Sequence, residues 1–456
     1  MSGEQHRLRR RRGRRREHAG QVVGLLPVVA RGLLLAASCA FLAFDAGSAS
    51  GQTIAITNAR IHPVASPVIE NGTIVIRDGR IAAVGADVRA PAGAQVIDGT
   101  GKVVTPGFLD SFTQLGVVEI GAVDETVDAT SDNDDFTAAF SVKYGINPRS
   151  TLIPIARTGG ITRAVVAPGT GASIIAGQGV LIDLRGDRRA DMIQREDVAM
   201  FGIMGGRAAE MTGGARGLTI LRLREALQDA RDYAANRAAY ASGDRRDYAL
   251  SRLDLQALIP VVRGEMPFAV AVDRSSDILA ALDLRDEFGL DMILLSAAEG
   301  WLVADEIARA SVPVVINPMT NIPGYDALVA TLENAARLAD AGVEVVFASF
   351  DAHNARNLRQ AAGNAVANGM AWDAALRSIT AAPAALWGIS DEYGTLEPGK
   401  DADLVVWSGD PFELLTVAEH VFIEGRDMPD ETRQTELLER YLRVDGERLP
   451  QSFQHD

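Results

Sequence analysis

Between residues 105 and 388 the apolar positions cluster in short runs. They are Ile161–Ala167, Val198–Met204, Phe268–Val272, Met292–Leu295, Val312–Ile316 and Val343–Phe350. Runs of this kind, without polar alternation, predict strands buried on both faces, as in parallel sheets. Between them the apolar residues recur with a helical period. In the clearest stretch Leu328, Leu332, Ala335, Ala336 and Ala339 share one face, and Gly342 marks the C-terminus. Strand and helix alternate over 284 residues, which suits a barrel of about 250 residues with insertions.

Both flanks read differently. Residues 53–104 are β in character, and Thr73–Arg77 and Arg80–Val84 flank Asp78-Gly79, a two-residue hairpin signal. The β pattern returns in Ala402–Trp407 and Val421–Ile423, and a helix is expected from about Asp430 to Arg443. The predicted fold class is α/β: a (β/α)8 TIM-like barrel over 105–388 with a small β-sandwich domain formed by both chain ends. That small domain takes residues 52–104 and 389–428, and 429–456 form a C-terminal helix and tail.

The first fifty residues change the picture. Arg7 to Arg16 hold eight arginines, Leu33–Phe44 is apolar, and Ala46–Gly51 is a small-residue run. This is the layout of a secretory signal peptide over 1–51, predicting an exported, periplasmic or secreted protein. Twelve apolar residues fall short of the roughly 20 that span a bilayer, so no stable membrane anchor is expected. Ala36-Ala37-Ser38-Cys39 faintly resembles a lipoprotein cleavage box, but the apolar run continues past Cys39. Residues 52–456 would carry 36 basic and 57 acidic side chains, a net charge of −21. Such a surface repels nucleic acid. Cys39 is the single cysteine, which excludes a disulfide framework and a thiolate metal site.

Three stretches carry a family resemblance. The first runs from Ile56-Thr57-Asn58-Ala59-Arg60-Ile61 through Asp78-Gly79-Arg80-Ile81 to Val96-Ile97-Asp98. The second is Val104-Thr105-Pro106-Gly107-Phe108-Leu109-Asp110. The third is Gly394-Thr395-Leu396-Glu397-Pro398-Gly399-Lys400-Asp401-Ala402-Asp403-Leu404-Val405-Val406-Trp407, preceded by Ile379-Thr380-Ala381-Ala382-Pro383. Together they resemble the amidohydrolase superfamily, in its imidazolonepropionase-like and prolidase-like branch. The resemblance implies a (β/α)8 barrel and metal-assisted hydrolysis of small amide or peptide C–N bonds. It also implies a ligand set: His-x-His after the first strand, a lysine from mid-barrel, a histidine after each of two later strands and an aspartate after the last.

Here the chain departs from the family. Phe112 and Gln114 stand at the His-x-His positions, Asp273 and Ser296 end the later strands, and Lys143 precedes the second strand. His353 is the one histidine of the predicted barrel, and of the family's ligands only Asp351 finds its match. Three or four imidazoles cannot be assembled from one, so no metal centre is expected beyond at most one weakly held divalent ion at Asp351. Asp351 is the candidate catalytic residue, as a general base or single ligand; it could equally cap the helix expected near Asn354. Gln114, His353 and Asp110 are candidate substrate-binding residues, although Asp110 could be a structural hydrogen-bonding group and Gln114 a space filler. The acidic loop Asp124, Glu125, Asp128, Asp132, Asp134, Asp135 lacks calcium-loop spacing and reads as solvated. No phosphate loop or nucleophile elbow is present.

Two functions fit. One is a hydrolase of C–N bonds working with an altered site on a small amide or peptide-like ligand. The other is a non-catalytic exported pseudoenzyme: a binding protein, or a partner subunit in a homo- or hetero-oligomer with a related amidohydrolase.

Overall fold

The computed structural model describes residues 53–186 and 188–442; the expected leader and the end of the tail lie outside the described residues. The chain begins with β1 (Ile54–Ile61), β2 (Ile69–Arg77), β3 (Arg80–Gly85), β4 (Gln95–Asp98) and β5 (Val103–Pro106). Next come β6 (Phe108–Thr113), β7 (Ile161–Val166), β8 (Ile175–Gln178), β9 (Val180–Asp183), β10 (Ile193–Arg195) and β11 (Met200–Ile203). Then follow β12 (Phe268–Val272), β13 (Met292–Ser296), β14 (Val314–Ile316) and β15 (Val345–Phe347), mostly with helices between them. The chain closes with β16 (Leu404–Trp407), β17 (Ala418–Ile423), β18 (Arg426–Asp427) and the helix Arg433–Leu442.

Strands from both ends form one eight-stranded sheet, β18-β17-β16-β5-β1-β2-β3, with β4 also against β1. The expected sandwich is thus corrected. The two ends share a ladder, with Val104 of β5 opposite Val406 of β16, instead of stacking as separate sheets. This works because β1 changes partner along its length, from β4 at Ile54–Thr57 to β5 at Arg60 and Ile61. The β2–β3 hairpin turns at Asp78-Gly79, both with positive φ (52° and 79°), as a type I′ turn requires.

The middle of the chain builds a TIM-barrel-like wall. β6 pairs with β7 in parallel, and β11 to β15 pair in parallel in chain order. The expected wall was parallel throughout, but one run is reversed. β9 lies antiparallel to β7 and β8 antiparallel to β11, and Gly179, between them, exchanges backbone hydrogen bonds with Val198 and Ala199. Only glycine fits there: a Cβ would lie 2.4 Å from the Phe201 ring. Inward residues such as Leu109, Val165, Leu181, Phe201, Ile293, Val315 and Val346 meet in one buried cluster, the packed interior of such folds.

No ladder closes the ring between β15 and β6. The Phe347 and Leu109 N–H groups that closure would need donate instead to the carbonyls of Ser378 and Ile379, both at 2.9 Å. Two sequence expectations are corrected nearby. The strand expected over Val343–Phe350 shortens to β15, because the Ser349 N–H is taken by Asp110 and Phe350 adopts φ 54°. The helix expected to include Leu328 begins at Asn334, whose amide binds the Trp301 N–H and the Ala297 carbonyl, and Leu328 is exposed.

The terminal segment is fastened to the wall by charge. Arg163 on β7 is 1% exposed; it donates to Asp403 at 3.1 Å and Asp401 at 2.6 Å, and lies over the Tyr393 ring. Removing one partner of a buried pair leaves an uncompensated charge. Arg163→Ala is expected to lower unfolding stability by about 3–5 kcal/mol in urea titration; a loss under about 1 kcal/mol would mean the pair is not what fastens the segment.

Candidate functional site

Catalytic groups of such barrels stand at the C-terminal strand ends. In this chain that rim is built mainly by the residues following β6, β12, β13, β14 and β15. Asp110, within β6, is fully buried and reaches across the unclosed gap. Its carboxylate accepts the Ser349 N–H at 2.9 Å, a short bond from the Ser349 hydroxyl, and the Phe112 N–H at 3.3 Å. Burial outweighs these donors and pushes its carboxyl up to about 7, with the charge of Asp351 adding to the effect. Ser349 was not a sequence candidate, and nothing in its immediate pattern marks it.

Asp351 follows directly. Its Oδ1 accepts the backbone N–H groups of His353 (2.7 Å) and Asn354 (3.1 Å), and its Oδ2 accepts the Asn354 side-chain amide at 3.0 Å. Partial burial opposes its charge, but these donors prevail and hold its carboxyl below the ordinary value. It closes a tight turn ahead of the 3₁₀ turn Ala355–Asn357, whose N-cap residue Asn354 receives no side-chain cap. The Asp351 carbonyl accepts from the Thr113 hydroxyl at 2.8 Å, and the Ser349 Oγ, whose proton goes to Asp110, lies 2.9 Å from it. His353 is exposed. Its Nε2 is 2.9 Å from the Glu119 carbonyl, and its Nδ1 stands 3.9 Å from Asp351. Asp110, Asp351 and His353 therefore converge on one segment.

Phe112 stacks on Phe350 (centroids 4.8 Å apart) and meets Phe201 edge-on at 5.7 Å. These rings sit on the interior cluster at the position where the family places its first histidine. Gln114 is partly buried and packs beside Gly169, a Cβ on which would come within 2.9 Å of its Nε2. It is not joined to Asp110 or Asp351 by any hydrogen bond among the described residues. At the end of β12, Asp273 accepts from the Ser296 hydroxyl at 2.5 Å and the Ala298 N–H at 3.2 Å, and burial pushes its carboxyl up. The rim loop after β14 is tied down at Asp326, which accepts the Gly206 N–H at 2.7 Å and a short bond from Arg216. Lys143 lies off the rim, paired with Glu196 at 2.7 Å. The six carboxylates of the acidic loop are all exposed, and no group of three His, Cys, Asp or Glu side chains is placed to hold a metal among the described residues.

Beside Asp351 opens a cavity of about 370 Å³, bordered by Asn317 after β14, Ser349, and the helix Leu358–Ala367. Sequence reading missed its carboxamides, although Asn357, Gln360 and Asn364 recur at the three- and four-residue spacing of one helical face.

The raised Asp110 carboxyl fixes a sign. Its folded-state value near 7 lies above the ordinary 3.8, so the native state binds the proton more tightly. The stability this contributes is full below about pH 4 and is lost as pH rises through about 7. Asp110→Asn is therefore expected to gain on the parent chain between pH 5 and pH 8 in denaturant unfolding; a constant difference would refute a buried, titrating Asp110.

Comparison with known proteins agrees with this architecture. The amidohydrolase family model matches residues 282–432. Amidohydrolase tasK of Hapsidospora irregularis is 23% identical over 388 residues, 78% of this chain and 39% of that protein. Imidazolonepropionase of Geobacillus sp. (strain WCH70) is 44% identical over 55 residues, 10% of this chain and 13% of that protein. The matches thus span two-fifths or less of these curated relatives. The crystal structure of an amidohydrolase from Thermotoga maritima MSB8 superposes with a TM-score of 0.75 at 26% identity, covering 82% of this chain and 99% of that one. With the barrel-like wall and the strand order above, these matches show that the chain carries an amidohydrolase-family domain on a TIM-barrel-like α/β fold, consistent with the amidohydrolase superfamily.

Proposed function

We propose that this chain binds a small amide or peptide-like ligand at the barrel rim without metal-dependent turnover, as an exported partner or binding subunit to a related, active amidohydrolase. The observation that carries this reading is the Phe112–Phe350–Phe201 stack. Aromatic carbon fills the place where the family's chemistry needs imidazole. The donor set does not fit a pair of divalent ions. Asp110 is committed to Ser349, Asp351 accepts three hydrogen bonds, and the His353 Nε2 faces a carbonyl. A hydrolytic step would need another source of water activation and oxyanion stabilisation.

A second reading, hydrolysis of a C–N bond with Asp351 as general base, is favoured by one feature: an ionised, part-exposed carboxylate beside a cavity.

Metal analysis of the purified mature chain, with an amidase and dipeptidase screen with and without chelator, separates the two. Substoichiometric metal and no turnover are expected. Stoichiometric metal with chelator-sensitive turnover would overturn the proposal. Turnover unaffected by chelator but lost in Asp351→Asn would establish the second reading.

A further inference from the structure

Two loops hold large apolar side chains out in solvent, and both are fastened in that pose. Between Ile316 and Asn334 the chain has no regular element, a length at which loops commonly serve binding. Met319, Ile322, Tyr325, Leu328 and Val329 are all exposed there, Ile322 at 82% and Tyr325 at 95%. Asn317 ties the loop to the Ser349 carbonyl at 3.2 Å, and Asp326 ties it to Gly206 and Arg216. Its far end is held where the Trp301 indole N–H donates to the Val329 carbonyl at 3.1 Å.

In the second loop, before β17, Leu414, Leu415 and Val417 are exposed, Leu415 at 93%. Arg359, buried on the helix Leu358–Ala367, donates to the carbonyls of Pro411, Glu413 and Thr416 at 2.7, 2.8 and 2.8 Å. Burying a cation against backbone carbonyls is costly, and what it secures here is the outward pose of Leu414 and Leu415. Met319 and Leu414 border one cavity, the one beside Asp351, so the two loops share a face. By their exposed fractions these eight side chains leave roughly 1,000 Å² open, against ~300–600 Å² for the largest apolar patch of an ordinary monomer and about 800 Å² on each side of a standard interface.

Charge points to the occupant. Residues 52–456 carry a net charge of −21, so most approaches between copies are repulsive. Asp326, already paired with Arg216, is the one charged side chain in 319–329, and 414–417 hold none. Neither stretch has the lysine or arginine that would hold it to a lipid surface.

We propose that a second copy of this chain docks on this face, related by a two-fold axis so that each copy offers the same apolar loops to the other. The docked copy covers the mouth of the cavity beside Asp351, so the dimer completes that chamber. The inference goes beyond the ligand-binding reading and does not rest on it: the dimer can fail while binding and turnover stand as measured.

Sedimentation equilibrium of the purified mature chain tests it. A dimer with a dissociation constant of about 10 μM or tighter is expected. Ile322→Glu and Leu415→Glu, which bury an unpaired charge in the contact, are each expected to weaken it at least about a hundredfold. Both side chains are exposed in the single chain, so the thermal midpoint of the monomer should stay unchanged in these variants. Leu221→Glu, an exposed apolar position on the helix Arg216–Ala235, should leave the dimer intact. A chain that remains monomeric at about 100 μM overturns the proposal, as does a dimer that both loop variants leave intact. Flotation of a monomeric chain with phosphatidylcholine vesicles, lost in the loop variants, would assign the face to lipid and overturn it too.

Discussion

The rim depends on how the gap between the first and last strands of the wall is bridged. A regular barrel closes with ladder hydrogen bonds, but here the backbone donors at Leu109 and Phe347 are spent on Ser378 and Ile379. At the rim the gap is crossed by the Asp110 carboxylate, which grips the backbone and hydroxyl of Ser349, by the Phe350 N–H donating to the Phe112 carbonyl at 3.0 Å, and by the Thr113 hydroxyl donating to the Asp351 carbonyl. That grip pulls Ser349 out of strand geometry and places Phe350 in the left-handed region. The Phe350 ring then lies on Phe112, and Asp351 accepts the His353 and Asn354 N–H groups. The arrangement of the rim rests on these three crossings, of which Asp110 is the buried, titratable one. Its raised pKa reflects the cost of holding its charge away from water.

A second constraint works on the far side of the wall. Arg163 projects from β7 into a pair of carboxylates on the segment that returns from the barrel, and Tyr393 covers it. Asp403 also accepts the Glu424 N–H at 2.8 Å, so the group that receives Arg163 also positions the β17–β18 turn. The Tyr393 hydroxyl donates to the Gly107 carbonyl at 2.7 Å, just before β6. Fastening the end of the chain and locating the first wall strand are parts of one polar network.

Much of this was legible in the sequence because it rests on local pattern. The apolar runs gave the strands β7, β11, β12, β13 and β14 nearly to the residue, and Asp78-Gly79 gave the first hairpin. What was not legible depends on contacts between distant residues. Nothing in Val343–Phe350 indicates that Asp110, some 240 positions earlier, will interrupt the strand. Leu328 fits a helical stripe, but the Asn334 amide starts the helix later. The reversed β8–β9 run is hidden because an apolar strand reads alike in either direction. At the site, Asp351 and Asp110 were marked by the family resemblance, whereas Ser349 and the carboxamide face gain meaning only once Asp351 and the helix Leu358–Ala367 stand side by side.

The reversed run also bears on how this scaffold can diversify. A parallel neighbour would return through a crossover packed on the outside of the wall, so a change in its length would disturb a whole layer. Because β8 enters from the same end at which β7 leaves, residues 167–174 form a short span lying over Gln114 and Thr130. Insertions there would alter the shape of the entrance while leaving the pairing of every other wall strand in place. The span is held at Gly169 and Ala172 by the Ala129 and Ser131 carbonyls, so the residues between these anchors shape the entrance over Gln114.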